Sequence, residues 1–198
     1  GVSKARNSGI QRTDSEWVAF LDSDDIWHPK KLEKQIRAVS ERPNYLLHFT
    51  DEIWIRNGLR VNPKQRHRKR DGWIFQPSLK LCMMAPSTVM LKRELLEKCG
   101  LFDEELPVCE DYDLWLKMST KMEIIIINCI LGSYYEEATS ITARPYFKRF
   151  LSDLRIAWRH RDKGSSWLLY WKLVRIIISK QWFFTLRNFI QRKEGHSC

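Results

Sequence analysis

The sequence predicts an α/β fold, a sheet flanked by helices, followed by a basic helical tail. Three observations predict it. Short runs rich in apolar, β-branched and aromatic residues, at 17–21, 45–50, 87–91 and 123–127, read as strands. Stretches with helical periodicity lie between them. Charge is unevenly spread: residues 1–145 hold 22 Lys/Arg and 21 Asp/Glu, residues 146–198 hold 12 and 3. The 198 residues suffice for one sizeable core. The change in composition divides the chain into 1–145 and a tail, 146–198. A net charge of +10 carried mostly by the tail points to an anionic partner there.

Residues 2–12 read as a short helix with Gly9 near its end. Trp17-Val18-Ala19-Phe20-Leu21 is a strand, read as buried. From Pro29 to about Glu41 a helix follows, with Leu32, Ile36 and Val39 at i, i+4, i+7 and proline suited to its first turn. Arg42-Pro43-Asn44 stops it, and Tyr45–Thr50 is the next strand. Asn57-Gly58 between two extended runs signals a hairpin, because both turn positions need a positive φ. The basic run Lys64–Arg70 reads as a solvated loop or as a contact to phosphates. Ser87–Leu91 is a strand, and Arg93–Lys98 is a helix that Gly100 closes. Pro107 precedes a helix with Glu110, Asp111 and Asp113 in its first turn. Glu123–Ile127 is a strand buried on both faces. In the tail, a helix over Tyr146–Arg161 places Phe147, Phe150, Leu151, Leu154 and Trp158 on one face. A second helix starts near Ser166, with Lys172, Arg175 and Ser179 in a narrow stripe. Neither has an uninterrupted apolar stretch long enough to span a bilayer.

Two acid clusters carry the chemical argument. Asp22, Asp24 and Asp25 stand in four positions after the first strand. Packed carboxylates repel one another and resist desolvation. A divalent metal carrying a phosphorylated ligand is the commonest compensation. Acids ahead of the helix opened by His28-Pro29 also suit a helix dipole, so the cluster alone leaves both readings open. The same holds for Glu110-Asp111 at the start of its helix.

The surrounding residues settle which reading to pursue. Gly1-Val2-Ser3-Lys4-Ala5-Arg6-Asn7-Ser8-Gly9-Ile10, then Trp17 to Trp27, then Pro29-Lys30-Lys31-Leu32-Glu33-Lys34-Gln35, resemble the middle of a family 2 glycosyltransferase. A second block, Gly100-Leu101-Phe102-Asp103-Glu104-Glu105-Leu106-Pro107 with Glu110-Asp111-Tyr112-Asp113-Leu114-Trp115-Leu116, resembles the same family further along. Two motifs in the right order are far more specific than a lone Asp-x-Asp. The resemblance covers residues 1–118. It implies a GT-A-type mixed sheet flanked by helices, incomplete at the N-terminus, where the family's base-binding βαβ units lie. The chain is accordingly expected to be a fragment or truncated product.

By that resemblance the protein transfers a sugar from a nucleotide-sugar donor to an acceptor hydroxyl, with inversion. Asp24 is expected to bind Mg²⁺ or Mn²⁺, with Asp22 on the ribose or on a metal-bound water, and Asp25 beside them. Arg6 and Asn7 match the family's donor-side Ala-Arg-Asn. Glu110-Asp111 matches the block that holds the base, with Asp111 taking the acceptor's proton. Trp115 is either a sugar platform or core. The family often recruits a histidine after its last core strand. Residues 132–140 contain none, which leaves the third ligand open among Glu136, Glu137 and Ser140.

Cys82, Cys99, Cys109, Cys129 and Cys198 show neither a disulfide framework nor a zinc spacing, which points to a reducing compartment. No nucleic-acid-binding motif is present in the sequence, and a nucleic-acid partner is not expected. The expected setting is the cytoplasmic face of the cell membrane. There the tail, with Trp158, Trp167, Trp171 and Trp182, rests on anionic lipid near a glycan or lipid-linked acceptor. The competing expectation is a non-catalytic remnant whose tail binds a membrane or a partner.

Overall fold

The computed structural model describes residues 1–62, 65–79, 81–136 and 146–162. The chain divides into two compact units, Gly1–Ser152 and Asp153–Cys198. The second helix expected in the tail, with Lys172, Arg175 and Ser179, lies outside the described residues, as do Trp167, Trp171, Trp182, Glu137 and Ser140.

The first unit is a mixed α/β structure. Its elements are α1 (Val2–Gln11), β1 (Trp17–Ala19), β2 (Ile26–Trp27), α2 (Lys31–Glu41), β3 (Leu47–Arg56) and β4 (Leu59–Val61). There follow α3 (Phe75–Ser78), β5 (Val89–Lys92), α4 (Arg93–Cys99), α5 (Glu110–Ser119) and β6 (Ile125–Glu136). Helix α6 (Tyr146–Arg159) crosses into the second unit. The sheet order is β1-β5-β3-β6-β2, with β4 paired to β3. Strands β3 and β6 run parallel and the other pairs are antiparallel.

Each element follows from its residues. Asn57 (φ 50°) and Gly58 (φ 76°) form the positive-φ turn the Asn-Gly signal requires, and Arg56 pairs with Leu59 across it. Gly100 ends α4 at φ 87°. The isoleucine run enters the sheet with Ile124, Ile125 and Ile126 all buried. The core gathers Leu47, Phe49, Val89, Leu91, Leu114 and Trp115 between sheet and helices. Arg93 fastens the end of α1 to the start of α4, donating to the carbonyls of Ile10 (3.0 Å) and Ser15 (2.8 Å).

Two differences from the sequence reading have physical reasons. Strand β1 stops at Ala19, and Leu21 is half exposed. The chain turns there, because the Asp22 carbonyl accepts the Asp25 N–H at 3.0 Å. Helix α2 has the expected periodicity but the opposite phase. Leu32 and Ile36 are exposed, whereas Lys31 and Gln35 are buried. Both polar side chains reach the Thr88 carbonyl beneath the helix, each at 3.2 Å. That hydrogen-bonded contact, not the apolar stripe, sets the inward face.

Candidate active site

Helix α1 carries Arg6 and buries Ser3, Asn7 and Ile10 against the core. Arg6 therefore lies at the edge of the buried face, with its side chain 11% exposed. Its guanidinium joins the two acid clusters. Nη2 donates to Asp22 Oδ1 at 2.6 Å and Nη1 to Glu110 Oε1 at 2.7 Å. Its carbon end lies 5.2 Å from the Phe102 ring centroid. Burial pulls the Arg6 pKa down, but Asp22 and Glu110 outweigh it and leave it raised. A segment after β1 and the first turn of α5, far apart in sequence, are thus held side by side by one cation.

Asn7 plays a different part. Its Nδ2 donates to the Phe102 carbonyl and to Glu104 Oε1, both at 2.9 Å, and its Oδ1 accepts the Phe102 N–H at 3.1 Å. Its side chain pins α1 to the loop that leads into α5.

The acid loop occupies residues 22–25. Asp24 is exposed. Asp25 is buried, and its Oδ1 accepts the Tyr135 N–H at 3.1 Å. Burial pushes its carboxyl up to about 6, against the pull of hydrogen bonds from Ser87 and Tyr135. Beyond the loop, β2 docks on β6 where Trp27 faces Gly132. A Cβ at Gly132 would stand 3.3 Å from the Ile26 carbonyl, so a side chain there would crowd the strand that leads out of the loop.

At the second cluster, Cys109 turns the chain at φ 64° immediately before Glu110. Glu110 is buried on Arg6. Asp113 is fully buried and pairs with Lys117 at 2.7 Å. Asp111 is half-buried and accepts its neighbour's N–H, that of Tyr112, at 2.8 Å. Burial first, then the charge of Glu110, raises its carboxyl to about 6. A carboxylate so placed is a better proton acceptor than an ordinary aspartate. Trp115 is 2% exposed and packs edge-on against Phe102. It is core, not a sugar platform.

Among the described residues, no three carboxylate, imidazole or thiol groups converge as a metal site. Asp22 has committed Oδ1 to Arg6, and Asp24 stands in the open. Such a pair of hard oxygen donors suits an ion that takes one or two carboxylates and completes its shell with phosphate oxygens and water. The basic run is not uniformly solvated. The Lys69 side chain is largely covered, bridging Glu52 at 3.1 Å and the Thr50 carbonyl at 3.1 Å. With Asp51, His67, Arg68 and Asn128 it lines a cavity of about 270 Å³.

The sequence reading missed Ser87, taken as the first residue of a strand. It sits instead in a 3₁₀ turn, Pro86–Thr88, and its hydroxyl accepts the Asp22 N–H at 3.0 Å. Ala85-Pro86 was the available signal, since proline favours such a turn start.

Known proteins share this arrangement of elements. Residues 1–100 match the model of the family described as Glycosyl transferase family 2. The Escherichia coli UDP-Glc:alpha-D-GlcNAc-diphosphoundecaprenol beta-1,3-glucosyltransferase WfgD is 32% identical over 148 residues, covering 74% of this chain and 56% of WfgD. An uncharacterised glycosyltransferase of Rickettsia typhi is 31% identical over 122 residues, covering 59% of this chain and 38% of that protein. The chain therefore spans about half or less of the length of these relatives. The crystal structure of an S. aureus TarS fragment in complex with UDP-GlcNAc superposes with a TM-score of 0.63. That match has 18% identity and covers 80% of this chain and 46% of the fragment, so it speaks for the GT-A-type fold. The matched residues include α1, the acid loop and β5, and on that evidence the chain belongs to glycosyl transferase family 2.

Proposed function

We propose that the full protein moves a sugar from a nucleotide-diphosphate donor to an acceptor hydroxyl, with inversion at the anomeric carbon. The observation that carries this reading is the Arg6 bridge between Asp22 and Glu110. It sets a loop suited to a diphosphate beside a helix start suited to a general base. Asp111 takes the proton of the acceptor hydroxyl. The hydroxyl oxygen then bonds to the anomeric carbon, and the nucleoside diphosphate leaves with the electron pair of the broken bond. A single displacement of this kind inverts configuration. Arg6 and Glu110 hold the two sides in register. Asp24 and Asp22 would hold a divalent metal, Mg²⁺ or Mn²⁺, and when bound it supplies charge neutralisation for the departing diphosphate.

The names of the relatives suggest the substrate class. WfgD is named for a UDP-sugar donor and a diphosphoundecaprenol-linked acceptor, and the TarS structure contains UDP-GlcNAc. A UDP-sugar and a lipid-linked glycan are the corresponding proposals here, in cell-envelope polysaccharide synthesis. The basic tail, 146–198, would rest on anionic lipid at the cytoplasmic face. Among the described residues no helix is long and apolar enough to cross a membrane.

The test is transfer of labelled glucose or GlcNAc from UDP to a polyprenyl-diphosphate acceptor by the full-length protein. Transfer should require Mg²⁺ or Mn²⁺ and stop in excess EDTA. Undiminished transfer in EDTA contradicts the metal's part. Absence of transfer, together with binding to anionic liposomes, would favour the non-catalytic, membrane-binding reading.

A further inference from the structure

The acid loop has little regular structure of its own. Strand β2, which follows it, is two residues long. Its three carboxylates repel one another, which favours an opened loop. Something outside must hold it, and the contacts converge on one turn.

That turn is Pro86–Thr88, and Ser87 is its centre, 7% exposed. The Ser87 hydroxyl accepts the Asp22 N–H at 3.0 Å, and its influence on the Asp25 carboxyl opposes the upward push of burial. The Ser87 carbonyl accepts the Trp27 indole N–H at 2.8 Å. One residue later, the Thr88 carbonyl takes the Lys31 and Gln35 side chains. The turn is itself fixed. Thr88 Oγ1 donates to the Ala85 carbonyl at 2.7 Å, and the chain then enters β5, which is hydrogen-bonded to β1 and β3.

We infer that Ser87 is a positioning residue: its hydroxyl takes the Asp22 N–H, and so holds the acid loop with Asp22 on Arg6 and Asp24 exposed. Removing that hydroxyl leaves the Asp22 N–H without its partner and the Asp25 carboxylate with the Tyr135 N–H alone. The loop then relaxes toward the conformations that charge repulsion favours. The catalytic consequence rests on the proposed sugar transfer, whereas the clamp does not.

Two readouts on the full-length protein separate them. In Ser87→Ala, exchange of the Asp22 amide hydrogen should quicken by at least about tenfold, with β1 and β5 amides unchanged. Turnover should fall by about ten- to a hundredfold, and the Mn²⁺ concentration for half-maximal turnover should rise by about fivefold or more. Ser87→Thr, which keeps the hydroxyl, should restore most of both. Thr88→Val removes the turn's own side-chain bond and serves as the structural control. It should lower Tm and leave turnover within about twofold. Should Ser87→Ala fail to fold, Ser87→Cys, similar in shape but a weak hydrogen-bonder, should give the same pattern. An unchanged Asp22 amide in Ser87→Ala would overturn the inference. So would a Thr88→Val enzyme that loses turnover in step with Ser87→Ala. If the wild-type protein transfers no sugar, the transfer reading fails, and amide exchange alone still decides the clamp.

Discussion

The two acid clusters are alike in sequence and unlike in structure. Each has three acids in four positions, Asp22, Asp24 and Asp25 in one, Glu110, Asp111 and Asp113 in the other. The first lies in an irregular loop and the second in a helical first turn. In both, one acid is spent on Arg6, Asp22 here and Glu110 there. In both, another is buried on a partner, Asp25 with Tyr135 and Ser87 far along the chain, Asp113 with Lys117 one helical turn on. That leaves one acid in each cluster for the proposed chemistry. In the loop it is the exposed Asp24. In the helix it is the half-buried Asp111, its carboxyl lifted to about 6. The difference suits the proposed tasks. A metal ligand must meet an ion from solvent, whereas a base gains from partial desolvation.

The comparison breaks most readily at the loop. Asp24→Asn should abolish transfer, by more than about a thousandfold, with stability changed by less than about 0.5 kcal/mol. Asp25→Asn should keep turnover within about tenfold, since an amide can still accept the Tyr135 N–H. The reverse order in a steady-state assay would exchange their roles. Next in size is the cation that both clusters share. Arg6→Met leaves Glu110 and Asp22 without their counter-charge and should destabilise the fold by about 2–4 kcal/mol in urea unfolding. Asp22 retains some solvent contact, which holds the figure below that for a fully buried pair. A loss under about 0.5 kcal/mol would show that the bridge is not made in solution.

The smallest effect concerns a buried cation outside both clusters. Burial, helped by Lys69 and opposed by Glu52, brings the Lys31 amine down to about 7. The folded protein therefore holds that proton less tightly than the unfolded chain. Between the lowered folded value and the ordinary lysine value, the unfolded state binds more protons, so stability rises with pH. The rise from about pH 7 to about pH 9 should amount to about 1–2 kcal/mol and should be absent in Lys31→Met. Equal slopes for both proteins would remove Lys31 as its cause.

Local signals were legible in the sequence, and partnerships at long range were not. The Asn57-Gly58 hairpin and the Gly100 helix end follow from backbone preference alone. The acid clusters stood out because like charges in a row need a reason. Their meeting on Arg6, across the chain from α1 to α5, carried no signal in spacing, and the family resemblance assigned the clusters their roles without that bridge. The phase of α2 was illegible because Lys31 and Gln35 find their acceptor in a turn far along the chain. Proline at Pro86 could mark the turn that holds Ser87, but nothing in the sequence marks the loop that Ser87 holds.

The division of labour is tested most directly by replacing Asp111 and Asp113 in parallel and measuring kcat, donor affinity and unfolding free energy for each. Asp111→Asn should lower kcat by about two to four orders of magnitude, with donor affinity and stability nearly unchanged. The wild-type acidic limb should lie near pH 6, because Asp111 must lose its proton to act. Asp113→Asn should instead lose stability, by about 1–3 kcal/mol, and keep kcat within about threefold. An Asp111→Asn enzyme with full kcat and weakened nucleotide binding would place Asp111 on the donor and contradict the account.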